Sequence, residues 1–210
     1  MTWMIDKQIE FCYGHRVWSQ KLDVEFCETG DTSCKCRHLH GHQGKVHVFL
    51  ESDKLERGMV TDFKHLGWLK NFLDDNLDHK FIVDINDPWI VGIINAFPIT
   101  EPLTDNPGWL HGLQPSRPLN TSEEELLKVV PVFVPDTTHL VGYNIDVSQL
   151  SGPEQEFYEG FFIVNFTPTS ENLCKWVYDL AAVKMARLGV KVAKIDWWET
   201  PKSRSSYSGS

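Results

Sequence analysis

The stretch Cys36-Arg37-His38-Leu39-His40-Gly41-His42 restricts the fold of this chain more than any other. In an extended segment side chains alternate between faces, so His40 and His42 point the same way, and Gly41 between them removes bulk that would keep a ligand off. One strand then offers two imidazoles to a single ion. Zinc takes imidazole nitrogen readily, and three protein ligands with a fourth position open is the arrangement of catalytic sites. The third ligand has to come from elsewhere, and His15 is the best candidate. In Phe11-Cys12-Tyr13-Gly14-His15-Arg16-Val17, alternation puts Phe11, Tyr13, His15 and Val17 on one face of a strand. The fold must bring these two segments together. His38 competes from inside the motif, because its side chain could fall on the same face. His47, His65, His111 and His139 have no partner at ligand spacing. A His-x-His pair alone is more often plain surface or core histidine; the adjacent cysteine and the acidic residues downstream tip the balance toward a site.

At 210 residues the chain suits one domain, 1–210, with room for an inserted segment at about 84–160. A hydrophobic fraction of 41% places it among folded globular proteins. No apolar run approaches the roughly 20 residues needed to cross a bilayer, and the start of the chain lacks a basic region followed by an apolar one. The expectation is a cytoplasmic protein with no membrane partner. Five cysteines without an export signal argue for free thiols. Cys12 and Cys174 read as buried apolar residues, whereas Cys27, Cys34 and Cys36 fall in a polar loop. A net charge of −9 disfavours nucleic acid as a partner. Charge effects reach only about 10 Å at ordinary salt, so a local cluster of Arg16, Lys35 and Arg37 can still hold phosphates. Ordinary solvated charge is the plainer role for at least one of the three.

Residues 8 to 18 and 43 to 51 read as strands, with the metal motif at the mouth of the second. From Asp62 to Leu77 the apolar residues Phe63, Leu66, Leu69, Phe72, Leu73 and Leu77 follow helical spacing, with Thr61 or Asp62 as N-cap. A second helix is predicted over Ser170 to Leu188, capped by Thr169 and closed by Gly189. Val190 to Glu199 reads as a final strand on which Ala193, Ile195, Trp197 and Glu199 share a face. The serine-rich tail from Lys202 reads as loose. Between about Asp84 and Gly160 the pattern weakens, which suggests an inserted subdomain or a lid. The order of elements predicts an α+β sandwich with helices on one side of an antiparallel sheet.

Two further features bear on chemistry. Leu77-Asp78-His79-Lys80 puts an acid beside an imidazole, a pair able to activate a thiol, although such a pair at a helix end is often only a cap. Thr167-Pro168-Thr169-Ser170-Glu171-Asn172 is a helix start, and Glu199-Thr200-Pro201 a strand exit. Together and in this order, His15, the Cys-x-x-x-His-Gly-His segment from Cys36 to His42, Met59-Val60-Thr61-Asp62-Phe63, Leu77-Asp78-His79, Pro168-Thr169-Ser170-Glu171-Asn172 and Glu199-Thr200 resemble the 6-pyruvoyl-tetrahydropterin synthase family. Within it they are most similar to the 6-carboxy-tetrahydropterin synthases of the queuosine pathway. The resemblance covers roughly residues 5 to 85 and 160 to 207.

What the resemblance implies is a tunnelling fold, an antiparallel sheet with two helices packed on one face, assembling into a homo-oligomer, usually a hexamer, with active sites at subunit contacts. Zn2+ would be held by His15, His40 and His42. Cys36 would act as the base, a thiolate beside cationic groups and metal, with Asp78 and His79 tuning proton transfer. Glu199 would anchor the pterin, with Thr169 and Ser170 also at the substrate and Arg16, Lys35 and Arg37 on the triphosphate. The implied reaction turns 7,8-dihydroneopterin triphosphate into 6-carboxytetrahydropterin with loss of triphosphate and acetaldehyde. Cysteine spacing leaves a choice. Three residues separate Cys36 from His40, as in the carboxy-forming members, and five separate Cys34 from it, as in the pyruvoyl-forming ones; Lys35-Cys36 through Leu39-His40 favours Cys36. The insertion is not part of the family's minimal pattern. A 6-pyruvoyl-tetrahydropterin synthase is the nearest rival. A non-enzymatic module with a closed zinc site of Cys34, Cys36, His40 and His42 is a rival of another class, and a metal-dependent hydrolase ranks last for want of a carboxylate beside the histidine pair.

Overall fold

A computed structural model of the chain describes residues 2–27, 30–90 and 128–209. The two predicted strands are both present and both longer than the alternation suggested. β1 (Trp3–His15) and β2 (His40–Ser52) pair antiparallel along their whole length, from Trp3 opposite Ser52 to His15 opposite His40. The metal motif therefore lies inside β2, as its first three residues, and not ahead of it.

The first helical stretch divides. Asp62 Oδ1 accepts from the Lys64 amide at 2.8 Å and starts a 3-10 turn over Phe63–Leu66, which passes into α1 (Gly67–Asn76). After α1 the chain turns at Asp78–His79 and enters β3 (Lys80–Asp84), which runs parallel to β1 over Tyr13–His15. Beyond it come β4 (Val129–Phe133), β5 (Leu140–Ile145), α2 (Gly152–Glu159) and β6 (Phe161–Val164). The long helix α3 (Ser170–Met185) follows, extended by a 3-10 turn to Leu188 and closed by Gly189 at φ +66°. It leads into β7 (Lys191–Thr200) and β8 (Ser203–Tyr207).

The strands form one eight-stranded sheet in the order β4-β5-β6-β3-β1-β2-β7-β8. The antiparallel sheet expected from sequence is in fact mixed: β3 runs parallel to both β1 and β6, and the other neighbouring pairs are antiparallel. β1 and β3 are parallel because the chain reverses twice between them, once into β2 and once through α1, which carries it to the other edge of β1. Of the segment read as an insertion, 91–127, including His111, lies outside the described residues. Residues 128–160 add β4 and β5 to the sheet, with α2 after them.

One face of the sheet carries Phe11, Tyr13, Val46, Val48, Leu50, Ile82, Phe162, Ile195 and Trp197 against Leu69, Phe72 and Leu73 of α1 and Leu173, Val177 and Leu180 of α3. The opposite face has a second apolar cluster, Val83, Tyr143, Ile145, Phe161 and Ile163, on which Tyr158 of α2 packs. The two predicted helices thus share one face, as expected, and the short α2 adds Tyr158 to the other. β3 and β6 are buried on both sides, which is why they read as short continuous apolar runs without alternation.

Two further expectations change. Cys12 is exposed, because Phe11 and Tyr13 take the core face of β1 and turn it outward; Cys174 is buried as expected, and all five cysteines are free. The tail is a strand. Asp196, fully buried on β7, accepts from Ser206 Oγ at 2.6 Å and Arg204 Nη1 at 3.1 Å, and the Tyr207 ring packs 5.0 Å from that of Tyr178. Among the described residues no helix is long and apolar enough to cross a membrane.

Candidate metal centre and active site

The register that sets His15 opposite His40 also sets Tyr13 opposite His42, so three imidazoles converge where β1 ends and β2 begins. His15 Nε2 lies 3.1 Å from His40 Nε2 and 3.1 Å from His42 Nε2. One ring nitrogen from each falls within 4.8 Å of the others, and this is the one group of its kind among the described residues. His15 is 1% exposed.

The remaining nitrogens explain the orientation. His15 Nδ1 is 2.6 Å from the Pro168 carbonyl and His40 Nδ1 is 2.8 Å from that of His38. A carbonyl only accepts, so each Nδ1 carries the proton and each Nε2 presents a lone pair. Lone pairs of two neutral rings at 3.1 Å do not hydrogen-bond to one another; they are placed to share a cation. A tetrahedral zinc ion with bonds of about 2.0–2.1 Å holds its nitrogens about 3.3 Å apart, close to what is found. Imidazoles fixed by a second hydrogen bond to carbonyl oxygen are the usual outer support of such ligands. Burial, and then the other two rings, push His15 down to about 4 despite the Pro168 carbonyl, and burial also lowers His42, so both stay neutral. The donor set therefore fits a metal ion. A closed site of Cys34, Cys36, His40 and His42 is not formed. His38, the expected competitor, is exposed and takes part through its carbonyl.

Around the cluster lie the other candidates. Glu199, at the end of β7, places Oε1 3.8 Å from His15 Nε2. Burial raises its carboxyl above the ordinary value and nearby Glu171 adds to this, with His40 opposing. Below it, Trp197 is fully buried and donates Nε1–H to the Tyr13 hydroxyl at 3.0 Å, flooring the site with rigid aromatic surface. Cys36 sits in a 3-10 turn, Lys35–Arg37, anchored where the Val17 amide donates to the Cys36 carbonyl at 2.8 Å. Burial pushes its thiol up, and a hydrogen bond with Cys34 and the Glu199 charge push it the same way. The chain's own residues thus oppose the thiolate that the sequence reading expected.

Asp78 and His79 are paired, His79 Nδ1 to Asp78 Oδ2 at 3.0 Å, and tied to β1: Asp78 Oδ1 accepts from the Cys12 amide and the His79 amide donates to the Cys12 carbonyl, both at 2.7 Å. His79 has φ +59°, a left-handed conformation unusual for a residue with a side chain, and its ring is 80% exposed. Strain of this kind persists where surrounding contacts impose it. Both bonds are to the Cys12 backbone, in the plane of the sheet, so this pair lies along the edge of β1 just ahead of β3. Among the described residues no hydrogen bond joins it to Cys36.

Thr169 caps α3, its hydroxyl accepting from the Asn172 amide at 3.2 Å, and Ser170 Oγ meets Ser205 Oγ at 2.6 Å. Lys35 and Arg37 are exposed, but Arg16 is not a free cation: its Nε lies 2.9 Å from Asp87 Oδ2, and Asp87 is 1% exposed. The N–H does not point along that line, so the contact is an ion pair without an aligned hydrogen bond. Sequence reasoning missed the Pro168 and His38 carbonyls, which backbone atoms do not announce, and also Asp84 and Asp87. The signal for the last two was polar punctuation, Asp84-Ile85-Asn86-Asp87, directly after an apolar run.

A family model described as 6-pyruvoyl tetrahydropterin synthase matches residues 4–210. The chain is 28% identical over 216 residues to a 6-carboxy-5,6,7,8-tetrahydropterin synthase of Aquifex aeolicus, covering 99% of this chain and 98% of that one. It is 37% identical over 73 residues to a putative enzyme of the same name from Pyrococcus abyssi, covering 35% of this chain and 43% of that one. Among solved structures, an uncharacterized protein from Wolinella succinogenes superposes with a TM-score of 0.75 at 38% identity, over 100% of this chain and 99% of that one. The 6-pyruvoyl tetrahydropterin synthase of Plasmodium falciparum superposes with a TM-score of 0.50 at 14% identity, over 99% of this chain and 98% of that one, a likeness of fold alone.

Proposed function

The chain belongs to the 6-pyruvoyl tetrahydropterin synthase family, of tunnelling fold, and from this we propose that it is a 6-carboxy-5,6,7,8-tetrahydropterin synthase. It would act on 7,8-dihydroneopterin triphosphate and release triphosphate and acetaldehyde. The observation that carries the reading is the convergence of the His15, His40 and His42 nitrogens beside Glu199. The name of the Aquifex relative and the Cys36 spacing favour the carboxy-forming branch over the pyruvoyl-forming one.

His15, His40 and His42 would hold zinc, which when bound supplies a Lewis acid for substrate oxygens and a positive charge favouring the Cys36 thiolate. The chain's residues do the rest. Cys36 removes a carbon-bound proton from the pterin side chain. Glu199, as carboxylate, accepts two parallel hydrogen bonds from the amino-pyrimidinone edge, strengthened by the dry floor of Trp197. Lys35 and Arg37 are exposed and available to the triphosphate, whereas Arg16 is held by Asp87 and serves the fold. Thr169 and Ser170, engaged with Asn172 and Ser205, shape the rim. The exposed Asp78–His79 pair would act across a contact between copies in a homo-oligomer, a hexamer by the family pattern, located in the cytoplasm. On this reading residues 1–210 are one domain, and residues 128–160 of the inserted part lengthen its sheet.

Incubation of the zinc-loaded protein with 7,8-dihydroneopterin triphosphate, followed by mass analysis, is expected to give 6-carboxytetrahydropterin and acetaldehyde. A pyruvoyl product without acetaldehyde would move the protein to the other branch; absence of any turnover would overturn the reading. Glu199→Gln is expected to raise KM about 10- to 100-fold, the worth of a charge-assisted hydrogen bond. Only the ionised Glu199 accepts both bonds, and its carboxyl is raised, so kcat/KM falls as pH drops through that raised value. The variant should lose this acid limb; a profile with the limb intact assigns it to another group.

A further inference from the structure

The segment that carries His15 and the segment that carries its carbonyl partner are both tied to one buried carboxylate. Asp84, the last residue of β3, is 1% exposed. Its Oδ2 accepts from Trp18 Nε1 at 2.7 Å and from Thr167 Oγ1 at 3.1 Å. Its Oδ1 accepts from the Asn86 amide at 2.9 Å and from Asn86 Nδ2 at 3.0 Å. Trp18 follows shortly after His15, and Thr167 directly precedes Pro168, whose carbonyl accepts from His15 Nδ1 at 2.6 Å. The Thr167 carbonyl in turn accepts from the Thr169 amide at 2.7 Å and Asn172 Nδ2 at 2.9 Å, so the bend around Pro168 is fixed from both sides.

We propose that Asp84 is a positioning residue of the metal centre: through Trp18 and Thr167 it sets the His15 ring and the Pro168 carbonyl against each other, which aims His15 Nε2 at His40 and His42. The inference rests on reading the three histidines as metal ligands. Every partner of Asp84 is a donor, and only a carboxylate offers acceptors on both oxygens. An asparagine would turn its NH2 either against Trp18 Nε1–H or against both Asn86 donors. Outer groups that orient a ligating imidazole tune metal affinity without touching the ion. Asp84 does so at one further remove, through the carbonyl it positions. The plain alternative is that Asp84 only fastens the fold. That role predicts lost stability with an unchanged metal site, which separates the two.

The test measures zinc affinity by competition with a chromophoric chelator, and the visible spectrum with Co2+, on the full chain. Asp84→Asn and Thr167→Val are expected to bind zinc about 10- to 100-fold more weakly and to shift the cobalt bands. Thr167→Ser, which keeps the hydroxyl, should restore both. Asp196→Asn removes an equally buried acid at the β7–β8 pair and should lower stability while leaving affinity unchanged. Should Asp84→Asn fail to fold, Thr167→Val and its serine rescue carry the test. Wild-type affinity in Asp84→Asn and Thr167→Val, or an equal loss in Asp196→Asn, overturns the positioning role alone. A wild-type chain that takes up no zinc overturns the metal centre and this inference with it.

Discussion

His15→Ala should reduce bound zinc from one equivalent to near none and abolish turnover. His15 is the ligand with no substitute nearby: it is 1% exposed, its Nε2 lies 3.1 Å from both partner nitrogens, and its Nδ1 is fixed by Pro168. Two histidines on one strand remain, too few for a stable site. The variant also leaves a void and an unpaired Pro168 carbonyl, a cost of about 2–4 kcal/mol that circular dichroism during urea unfolding will read. The wild-type ring has a further signature in metal-free protein. Its folded value of about 4 lies below the ordinary 6.5 of a free imidazole, so between these the unfolded chain binds a proton that the folded chain does not. Stability is then full above 6.5 and falls as pH drops toward 4, by about 3 kcal/mol in all. His15→Ala should flatten that slope. Full zinc retention in the variant would return the closed structural module to consideration.

Cys36→Ala is expected to lower turnover by about 10²–10⁴-fold, the usual worth of a general base, with zinc content unchanged. Cys34→Ala should keep turnover within a few-fold. It should also move the rising limb set by the Cys36 thiolate to lower pH, because the hydrogen bond with Cys34 is one of the causes holding the Cys36 thiol up. The comparison is informative because the two thiols share one turn and one local environment. An inactive Cys34 variant beside an active Cys36 variant would reverse the assignment.

The parts of this architecture that could be read from the chain are those in which one face is buried and the other wet. β1, β2, β7, the divided first helix and α3 with its Thr169 cap and Gly189 stop all showed the corresponding period. β3 and β6 did not, since Phe81 to Val83 and Phe161 to Val164 are packed from both sides and carry no alternation. β8 was hidden by composition: Ser203, Ser205 and Ser206 look like a flexible tail until buried Asp196 supplies a reason for them to pair. The site divides in the same way. Side chains of ligand type announced themselves by identity and spacing, so the convergence of the three histidines was legible. Backbone carbonyls are present at every residue, and their use at Pro168 depends on a bend that sequence spacing does not specify. Arg16 looked like a phosphate contact because nothing in the local sequence revealed that Asp87 would turn toward it.

The bracing of β1 is uneven. Over its first residues it is bonded along one edge, to β2, while at Cys12 it also meets Asp78 and His79, and from Tyr13 to His15 it is held by β3 as well. Its bracing therefore rises toward the end that carries His15, so local opening of the hairpin is expected to start near Trp3, where one edge is bonded, and to reach His15 and His40 last.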